Sequence, residues 1–262
     1  MTPPSPWWPA VRAQACRDDV DSPRMPLRIG QHQVGSVALP LWTLMTAAGL
    51  PLLRDGRIAG EAGPALAHIA EWLRAAGHAG HWRDELLAVM PTDDDTALTR
   101  VERGVVRNLG IRTLAVQLHA RIEGSGHWWL QQRALDKATD PGLWDTVMGG
   151  MVSDGETVSQ TLVREAWEEA GLRLAELPQP PSNAGSFTVR RPVSDAGAHG
   201  LQIETIHAFA CTVAADFTPV NQDGEVLRFA VFDDAAIDAL ISGGKLTLEA
   251  AIAVALCRAA AD

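Results

Sequence analysis

The sequence predicts an α+β chain of 262 residues in two parts, a small α+β module over residues 1–100 and a larger module over residues 101–262. Three observations lead to this prediction. Hydrophobic residues make up 47% of the chain and charged residues 21%, which is typical of a protein that folds around a core. Short strand-like runs occur in both parts, separated by turns that contain Gly and Asp. Amphipathic helical patterns with recognisable first and last residues stand between these runs.

In the first part, turn residues and apolar spacing predict a hairpin followed by helices and a strand. Met25 to Leu41 contains two short apolar runs separated by polar residues and glycine, which indicates a hairpin. Pro64 to Ala76 carries apolar residues at helical spacing and is followed by Gly77, a typical residue after a helix. We also expect a short helix over 41–48, a turn at Asp55-Gly56 and a strand over 85–90.

The second part is expected to contain four longer strands and three helices. The predicted strands cover residues 113–121, 128–133, 203–212 and 226–232. One helix is expected to begin after Asp233 and a last one after Thr247, since both residue types cap helix N-termini. The remaining helix is the segment that carries the chemistry.

The composition excludes several classes of function. A formal net charge of −10 argues against general nucleic-acid binding and against docking to anionic lipid, both of which need a basic surface. No apolar run is long enough to span a bilayer, and the first residues do not have the pattern of a signal peptide. Cys16, Cys211 and Cys257 lie far apart and form no zinc or disulfide pattern. We therefore expect a cytoplasmic protein with reduced thiols.

The informative segment runs from Gly150 to Leu172, and its residues predict a helix over 158–170. Thr157 is a good N-cap, and Gln160 three residues later completes a capping-box pattern. Gly171 suits the left-handed conformation that ends many helices. At about 100° per residue, the apolar side chains fall within an arc of roughly 140° and the acidic ones within a separate arc of roughly 100°. The apolar set is Leu162, Val163, Ala166, Trp167 and Ala170, and the acidic set is Glu165, Glu168 and Glu169.

The acidic face of this helix predicts a metal site. Like charges one turn apart repel, and carboxylates near a helix C-terminus interact unfavourably with the helix dipole. A hard divalent cation such as Mg²⁺ or Mn²⁺ would relieve both effects and prefers oxygen ligands. The backbone of Gly150 could approach such an ion because no side chain obstructs it. Arg164, one turn before Glu168, could hold a carboxylate in position by a charge-assisted hydrogen bond.

This segment resembles the signature of the Nudix hydrolases, GX5EX7REUXEEXGU, in which U is an aliphatic residue. Every specified position is filled, by Gly150, Glu156, Arg164, Glu165, Ala166, Glu168, Glu169, Gly171 and Leu172. The resemblance implies an α/β/α sandwich with a mixed sheet between helices. It also implies a metal-dependent enzyme, with Mg²⁺ or Mn²⁺, that hydrolyses a nucleoside diphosphate linked to another moiety or a similar diphosphate.

The resemblance also implies a role for each charged residue of the signature. Glu165, Glu168 and Glu169 would bind the metal, and Glu165 or Glu169 would act as the base. Arg164 would orient the glutamates, and Glu156 would be structural or auxiliary. A small-molecule diphosphate is the implied partner, and the resemblance leaves a homodimer open.

A wider resemblance points to the Nudix group related to thiamine pyrophosphokinase-associated proteins, whose members carry an extra N-terminal domain. It rests on the stretches 102–112, 133–137, 141–145 and 221–226. This resemblance implies hydrolysis of thiamine diphosphate or its oxidised derivatives to the monophosphate.

Four charged residues outside the signature are candidates for the site. Arg133 and Lys137 could contact phosphate, or be exposed charges on a loop. Glu225 could supply a further metal contact or a base, or be an acid of the Asp-Gly-Glu turn. Glu204 stands in an otherwise apolar strand and could face the cleft.

Three other functions remain open from the sequence. The first is a nucleotide-type pyrophosphatase of the 8-oxo-dGTP or ADP-ribose class. The second is a non-catalytic binding module on the Nudix fold, which the intact acidic residues disfavour. The third is an isomerase of isopentenyl diphosphate on the same fold, which would need a catalytic cysteine. Cys211 lies in a strand-like run, so we disfavour this function.

Overall fold

The computed structural model describes residues 5–17, 23–137, 139–193 and 200–261. Within these ranges the α-helices are α1 (Trp8–Ala15), α2 (Leu39–Ala47), α3 (Ala62–Ala75), α4 (Val106–Leu109), α5 (Val158–Ala170), α6 (Asp234–Ser242) and α7 (Leu248–Ala261). The strands are β1 (Arg24–Ile29), β2 (His32–Ala38), β3 (Leu86–Val89), β4 (Thr99–Glu102), β5 (Thr113–Ile122), β6 (Trp128–Arg133), β7 (Trp144–Asp145), β8 (Met148–Met151), β9 (Ser182–Val193), β10 (Gly200–Val213) and β11 (Val226–Phe232).

The N-terminal part is built from two antiparallel hairpins, β1–β2 and β3–β4, with α2 and α3 packed against them. The hairpin predicted over 25–41 is confirmed, and α3 ends before Gly77, whose φ is +72°. The apolar side chains of these elements form one buried cluster that extends from Leu27 to Ile111.

The larger part contains a mixed sheet in which the strand order is β11-β6-β5-β10-β9. Strands β5 and β10 are parallel, whereas β6, β9 and β11 pair antiparallel with their neighbours. The short strands β7 and β8 pair with β6 and β5, respectively. All four strands that the sequence predicts in this part are therefore present.

Helices cover both faces of this sheet. On one face, Leu162 and Ala166 of α5 pack with Val116 and Leu118 of β5. On the other face, α7 and α1 pack over a second cluster that includes Ala115. Consecutive residues of β5 point to opposite faces, so one strand contributes to both clusters. The predicted α+β class, with a mixed sheet between helices, is confirmed.

Helix α5 has the predicted bounds and the predicted caps. The Thr157 side chain accepts a hydrogen bond from the Gln160 backbone N, and the Gln160 side chain accepts one from the Thr157 backbone N. Gly171 follows in the left-handed conformation with φ of 62°. The apolar arc of this helix is expected to pack on the core, and that expectation was wrong for Val163 and Trp167, which are 57% and 40% exposed. Leu162, Ala166 and Ala170, on one side of the apolar arc, are buried, and the two exposed residues lie on its other side.

Several elements were not predicted, and the boundary near residue 100 stays a prediction. Helix α1 and strands β4, β8 and β9 lie in segments with no clear periodicity in the sequence. Helix α1 belongs to the N-terminal hundred residues but packs in the same cluster as α7. Among the described residues, no helix has the length and apolar character needed to cross a membrane.

Candidate active site

The site begins where β8 brings two glycines against the acidic face of α5. The Glu169 Oε2 atom accepts hydrogen bonds from the Gly149 backbone N and from Gln131 Nε2, both at 2.8 Å. A Cβ atom at Gly150 would overlap the carboxyl group of Glu165. Glycine is therefore needed at position 150 for the Glu165 side chain to lie against the strand.

Arg164 binds three of the signature glutamates at once. Its Nε and Nη2 atoms donate to the two carboxylate oxygens of Glu156, each at 2.8 Å. Its Nη1 atom donates to Glu165 Oε1 at 2.8 Å and to Glu168 Oε2 at 3.0 Å. The Glu156 hydrogen bonds, above all, raise the pKa of Arg164 above its ordinary value. Arg164 thus links Glu156, Glu165 and Glu168 through hydrogen bonds, and its role in orienting glutamates for catalysis stays a prediction.

Glu165 is half-buried and Glu169 is buried, and the pKa values of both acids lie near or above neutrality. Burial raises the pKa of Glu165 to about 7, against the opposing effect of Arg164. Burial raises the pKa of Glu169 to about 8, and the neighbouring Glu165 charge adds to the increase. The Glu169 residue is only 2% exposed. Both groups are poised to hold or release a proton at physiological pH.

A turn after β10 adds two more carboxylates beside Glu169. The Val220 backbone N donates to Ala170 O at 3.0 Å, and the Gln222 backbone N donates to Glu168 O at 2.8 Å. These bonds fix the turn to the last residues of α5 and place Asp223 and Glu225 near its buried acid.

Glu169, Asp223 and Glu225 form a group, here named the carboxylate group, that could hold a metal ion. One carboxylate oxygen from each residue lies within 4.8 Å of those of the other two. Such oxygen donors suit Mg²⁺ or Mn²⁺, so the residues present fit the predicted cofactor. Glu225 also contacts the ammonium group of Lys137. Burial alone would raise the pKa of Glu225, but Lys137 outweighs it and the pKa is lowered.

A cavity of about 170 Å³ opens beside these acids, and Glu165, Glu225 and Gly150 line it. Its described lining includes five cationic side chains, which are Arg83, Arg103, Arg107, Arg133 and Lys137. The predicted phosphate contacts Arg133 and Lys137 are thus among them. The Arg133 Nη1 atom lies 3.1 Å from Asp145 Oδ2, a buried carboxylate whose desolvation raises its pKa despite Arg133.

A network of polar side chains from β9, β10 and α7 also lies at the cavity. Gln202 Nε2 donates to Glu204 Oε1 at 3.1 Å and to Glu249 Oε1 at 3.2 Å. Arg191 Nη2 donates to the same Glu249 atom at 3.1 Å. Glu204 therefore does line the cleft, within a network of hydrogen bonds.

The structure brings the predicted residues together around two centres. Arg164 collects Glu156, Glu165 and Glu168, whereas Glu169 lies with Glu225 in the carboxylate group. The metal and catalytic roles assigned to these residues stay predictions.

Two sets of residues were not predicted from the sequence. They are Asp223, a candidate ligand, and the arginines before residue 112 that line the cavity. Asp223 had a signal, because it lies two residues before Glu225 in the same turn. Arg103 and Arg107 lie in the stretch 102–112 on which the wider resemblance rests, whereas Arg83 had no signal, because only the folded chain places it beside a motif about 70 residues away.

Comparison with known proteins identifies the family. The family model described as NUDIX domain matches residues 112–246, which is more than half of the chain. The chain belongs to the Nudix family. The family resemblance of the signature segment is therefore confirmed, and the narrower thiamine-related group stays a prediction.

Three curated Nudix relatives illustrate the similarity. Nudix hydrolase 24, chloroplastic, of Arabidopsis thaliana is 28% identical over 175 residues, which cover 66% of this chain and 47% of that protein. Nudix hydrolase 20, chloroplastic, of the same plant is 27% identical over 161 residues, covering 61% and 42%. An uncharacterized Nudix hydrolase of Pseudomonas aeruginosa is 33% identical over 132 residues, covering 47% and 76%. This Nudix chain spans less than half the length of the two plant relatives.

Proposed function

We propose that this Nudix protein hydrolyses a diphosphate linkage with the help of Mg²⁺ or Mn²⁺. We further propose that its substrate is thiamine diphosphate or an oxidised derivative, converted to the monophosphate and inorganic phosphate. The observation that carries the reaction class is the meeting of buried carboxylates with cationic side chains around one cavity. The proposal of a thiamine substrate rests on the sequence resemblance over the stretches 102–112, 133–137, 141–145 and 221–226.

The carboxylate group would hold the divalent cation. When bound there, the cation would neutralise charge on the phosphates and lower the pKa of a water molecule. Glu169, Asp223 and Glu225 supply the oxygen ligands, and Lys137 holds Glu225 beside the other two. Membership of the Nudix family, which uses divalent metals, supports this assignment.

Glu165 is the better placed of the two predicted bases. Its carboxyl group lines the cavity, whereas Glu169 is almost fully buried and hydrogen-bonded to Gly149 and Gln131. A pKa of about 7 also suits a group that must accept a proton at neutral pH. We therefore assign the transfer of the proton from the attacking water to the Glu165 carboxylate. Arg164 keeps that carboxylate in place through its Nη1 atom.

Arg133 and Lys137 would bind the phosphate oxygens. A diphosphate repels nucleophiles, so its hydrolysis depends on positioning and on neutralising its charge. Arg133 is held by Asp145 and by the Thr139 carbonyl, to which its Nη2 atom donates at 3.0 Å. These partners fix the guanidinium group at the cavity wall before a substrate arrives.

The cysteine chemistry of the isomerase alternative is disfavoured by the surroundings of Cys211. This residue is buried in β10, and burial, with a smaller effect of Cys257, raises its pKa to about 12. Such a thiol stays protonated at neutral pH and is a poor nucleophile.

A substrate panel tests the proposed function. The full chain with MgCl₂ would be incubated with thiamine diphosphate, its oxo and oxy forms, 8-oxo-dGTP and ADP-ribose, and the products separated by chromatography. We expect a thiamine monophosphate and inorganic phosphate. Hydrolysis of only the nucleotide substrates would show that the protein is a nucleotide-type pyrophosphatase. If no compound is hydrolysed, the hydrolase function is refuted.

Glu165→Gln is the matched variant for the panel. It should lower kcat by about 10² to 10⁴, the usual contribution of a positioned base, while the protein remains folded. Glu176→Gln serves as the control, because Glu176 is an exposed glutamate after α5. Near-native turnover by Glu165→Gln would remove this residue from the proton transfer.

A further inference from the structure

One wall of the cavity comes from residues that precede the matched Nudix domain. Arg83, Arg103 and Arg107 line the cavity together with Glu165 and Glu225, yet all three lie before residue 112. Arg83 lies within the N-terminal hundred residues, in the segment that leads into β3. Part of the cavity's positive charge therefore comes from outside the domain that carries the signature.

The backbone around Arg83 is held firmly by Glu102. The buried Glu102 carboxylate accepts hydrogen bonds from the Arg83 backbone N at 2.9 Å and from the Gly104 backbone N at 3.2 Å. A Cβ atom at Gly104 would lie only 3.0 Å from the His81 carbonyl oxygen, so the two segments are in close contact. Arg83 is thus presented from a fixed backbone.

The Arg83 guanidinium group points toward the edge of the carboxylate group. Its Nη1 atom lies 3.7 Å from Glu225 Oε1, which is too long for a hydrogen bond. The side chain is 31% exposed. The guanidinium group therefore lies near the candidate metal ligands, and among the described residues it donates no hydrogen bond, which leaves its N–H groups able to bind an anion.

Arg103 connects this wall to the signature loop. Its Nη1 atom lies 2.7 Å from Glu85 Oε2, and the other oxygen of Glu85 accepts a hydrogen bond from Ser153 Oγ at 2.8 Å. The Asp154 backbone N also donates to Leu86 O at 2.8 Å. The N-terminal part is thereby fixed to the loop before α5, which holds its arginine at the same cavity as the acids.

We propose that Arg83, supported by Arg103, binds the phosphate oxygens of the substrate, so that the N-terminal part forms one side of the active site. An arginine presents several N–H donors in a plane and suits a phosphate better than a lysine does. The carboxylate group that would hold the cation begins at Glu225, beside Arg83, so the diphosphate would contact both the cation and the arginine. This proposal rests on the proposed function in that it assumes an anionic diphosphate substrate.

Binding of a non-hydrolysable anion tests this role without requiring turnover. Imidodiphosphate would be titrated by calorimetry into the full chain with MgCl₂, for the native protein and for Arg83→Gln. We expect the Kd of the variant to rise about tenfold or more, the usual effect of losing a hydrogen bond to a charged group. Arg54→Gln is the control, since Arg54 is an exposed arginine of the same N-terminal part.

Kinetics on the substrate found by the panel separates binding from a structural role. Arg83→Gln should raise KM about tenfold and change kcat less than about threefold, because the interaction exists before the reaction begins. Arg83→Lys keeps the charge but not the planar donors, so it should give an intermediate Kd. It also provides the test if Arg83→Gln does not fold.

The two proposals fail in different ways. If the native chain and Arg83→Gln bind imidodiphosphate equally well, or if the native chain does not bind it, the role of Arg83 is refuted. If Arg83 is needed for imidodiphosphate binding but no compound of the panel is hydrolysed, the anion site stands and the proposed function fails.

Discussion

Replacing Glu169 by glutamine should change how the stability of the metal-free protein depends on pH. Glu169 is buried, and its Oε2 atom accepts hydrogen bonds from two neutral donors, Gly149 N and Gln131 Nε2. A glutamine side chain has the same shape and can place its carbonyl oxygen at that position. The substitution therefore removes the titrating charge and keeps both hydrogen bonds.

The size of the effect follows from the pKa of Glu169. Burial raises this pKa from 4.5 to about 8, so the folded protein binds more protons than the unfolded chain between these values. The free energy of unfolding then decreases as the pH rises through this window, and the decrease is complete above pH 8. The whole pKa difference corresponds to about 5 kcal/mol, of which about 3 kcal/mol falls between pH 5.5 and 9. The raised pKa of Glu165 acts in the same direction.

Thermal unfolding in EDTA between pH 5.5 and 9 measures this difference. A change of 1 kcal/mol shifts Tm by roughly 2–4 °C in a domain of 150–250 residues. The native protein should therefore lose roughly 10 °C more than Glu169→Gln over this range. Addition of MgCl₂ at pH 9 should restore the Tm of the native protein but not that of the variant. Parallel curves for the two proteins would refute a buried carboxylate with a raised pKa.

Two further substitutions test the local architecture of α5 and β8. Gly150→Ala should lower kcat by about tenfold or more, because the new methyl group displaces the Glu165 carboxylate, while Tm changes by no more than a few degrees. A large loss of stability with normal kcat would show that the overlap is relieved elsewhere. Thr157→Ala should destabilise the protein by about 1 kcal/mol through loss of the N-cap, as measured by urea unfolding. Ser159→Ala, at an exposed position of the same helix, should leave the urea midpoint unchanged. Equal destabilisation by the two substitutions would show that the Thr157 cap does not stabilise the helix.

Local patterns in the sequence were sufficient to predict those elements whose bounds depend on neighbouring residues. The bounds of α5 follow from Thr157, Gln160 and Gly171, because caps are made by residues within a few positions of the helix end. Strand β11 likewise has the predicted bounds, 226–232. These elements would be expected in any fold that provides an apolar surface for them.

Elements that depend on distant partners could not be predicted in this way. Strand β8 contains Gly149 and Gly150, residues that disfavour a strand unless another group must approach closely. Here the approaching groups are the Glu165 carboxyl group and the Gln117 side chain. Strand β9 contains Gly185 and Pro192 and is held by its pairing with β10. Tertiary contacts therefore override the local preference in both strands.

In the candidate site, too, the residues that are close in the sequence were predicted and the contacts between distant segments were not. The sequence predicted the acidic residues of the signature and Glu225, since the signature lies within one turn and one helix. It could not predict that Glu169 would lie beside Asp223 and Glu225. These residues meet because the turn at 220–225 is hydrogen-bonded to the end of α5.

The distribution of cations explains why Glu169 is the residue on which metal binding should depend. Arg164 neutralises part of the charge of Glu156, Glu165 and Glu168, and Lys137 does the same for Glu225. Glu169 receives hydrogen bonds only from neutral groups among the described residues, which fix its position without cancelling its charge. Its ionisation is therefore costly in the fold until a cation approaches, so a group that destabilises the folded protein at high pH would gain stability from a bound divalent ion.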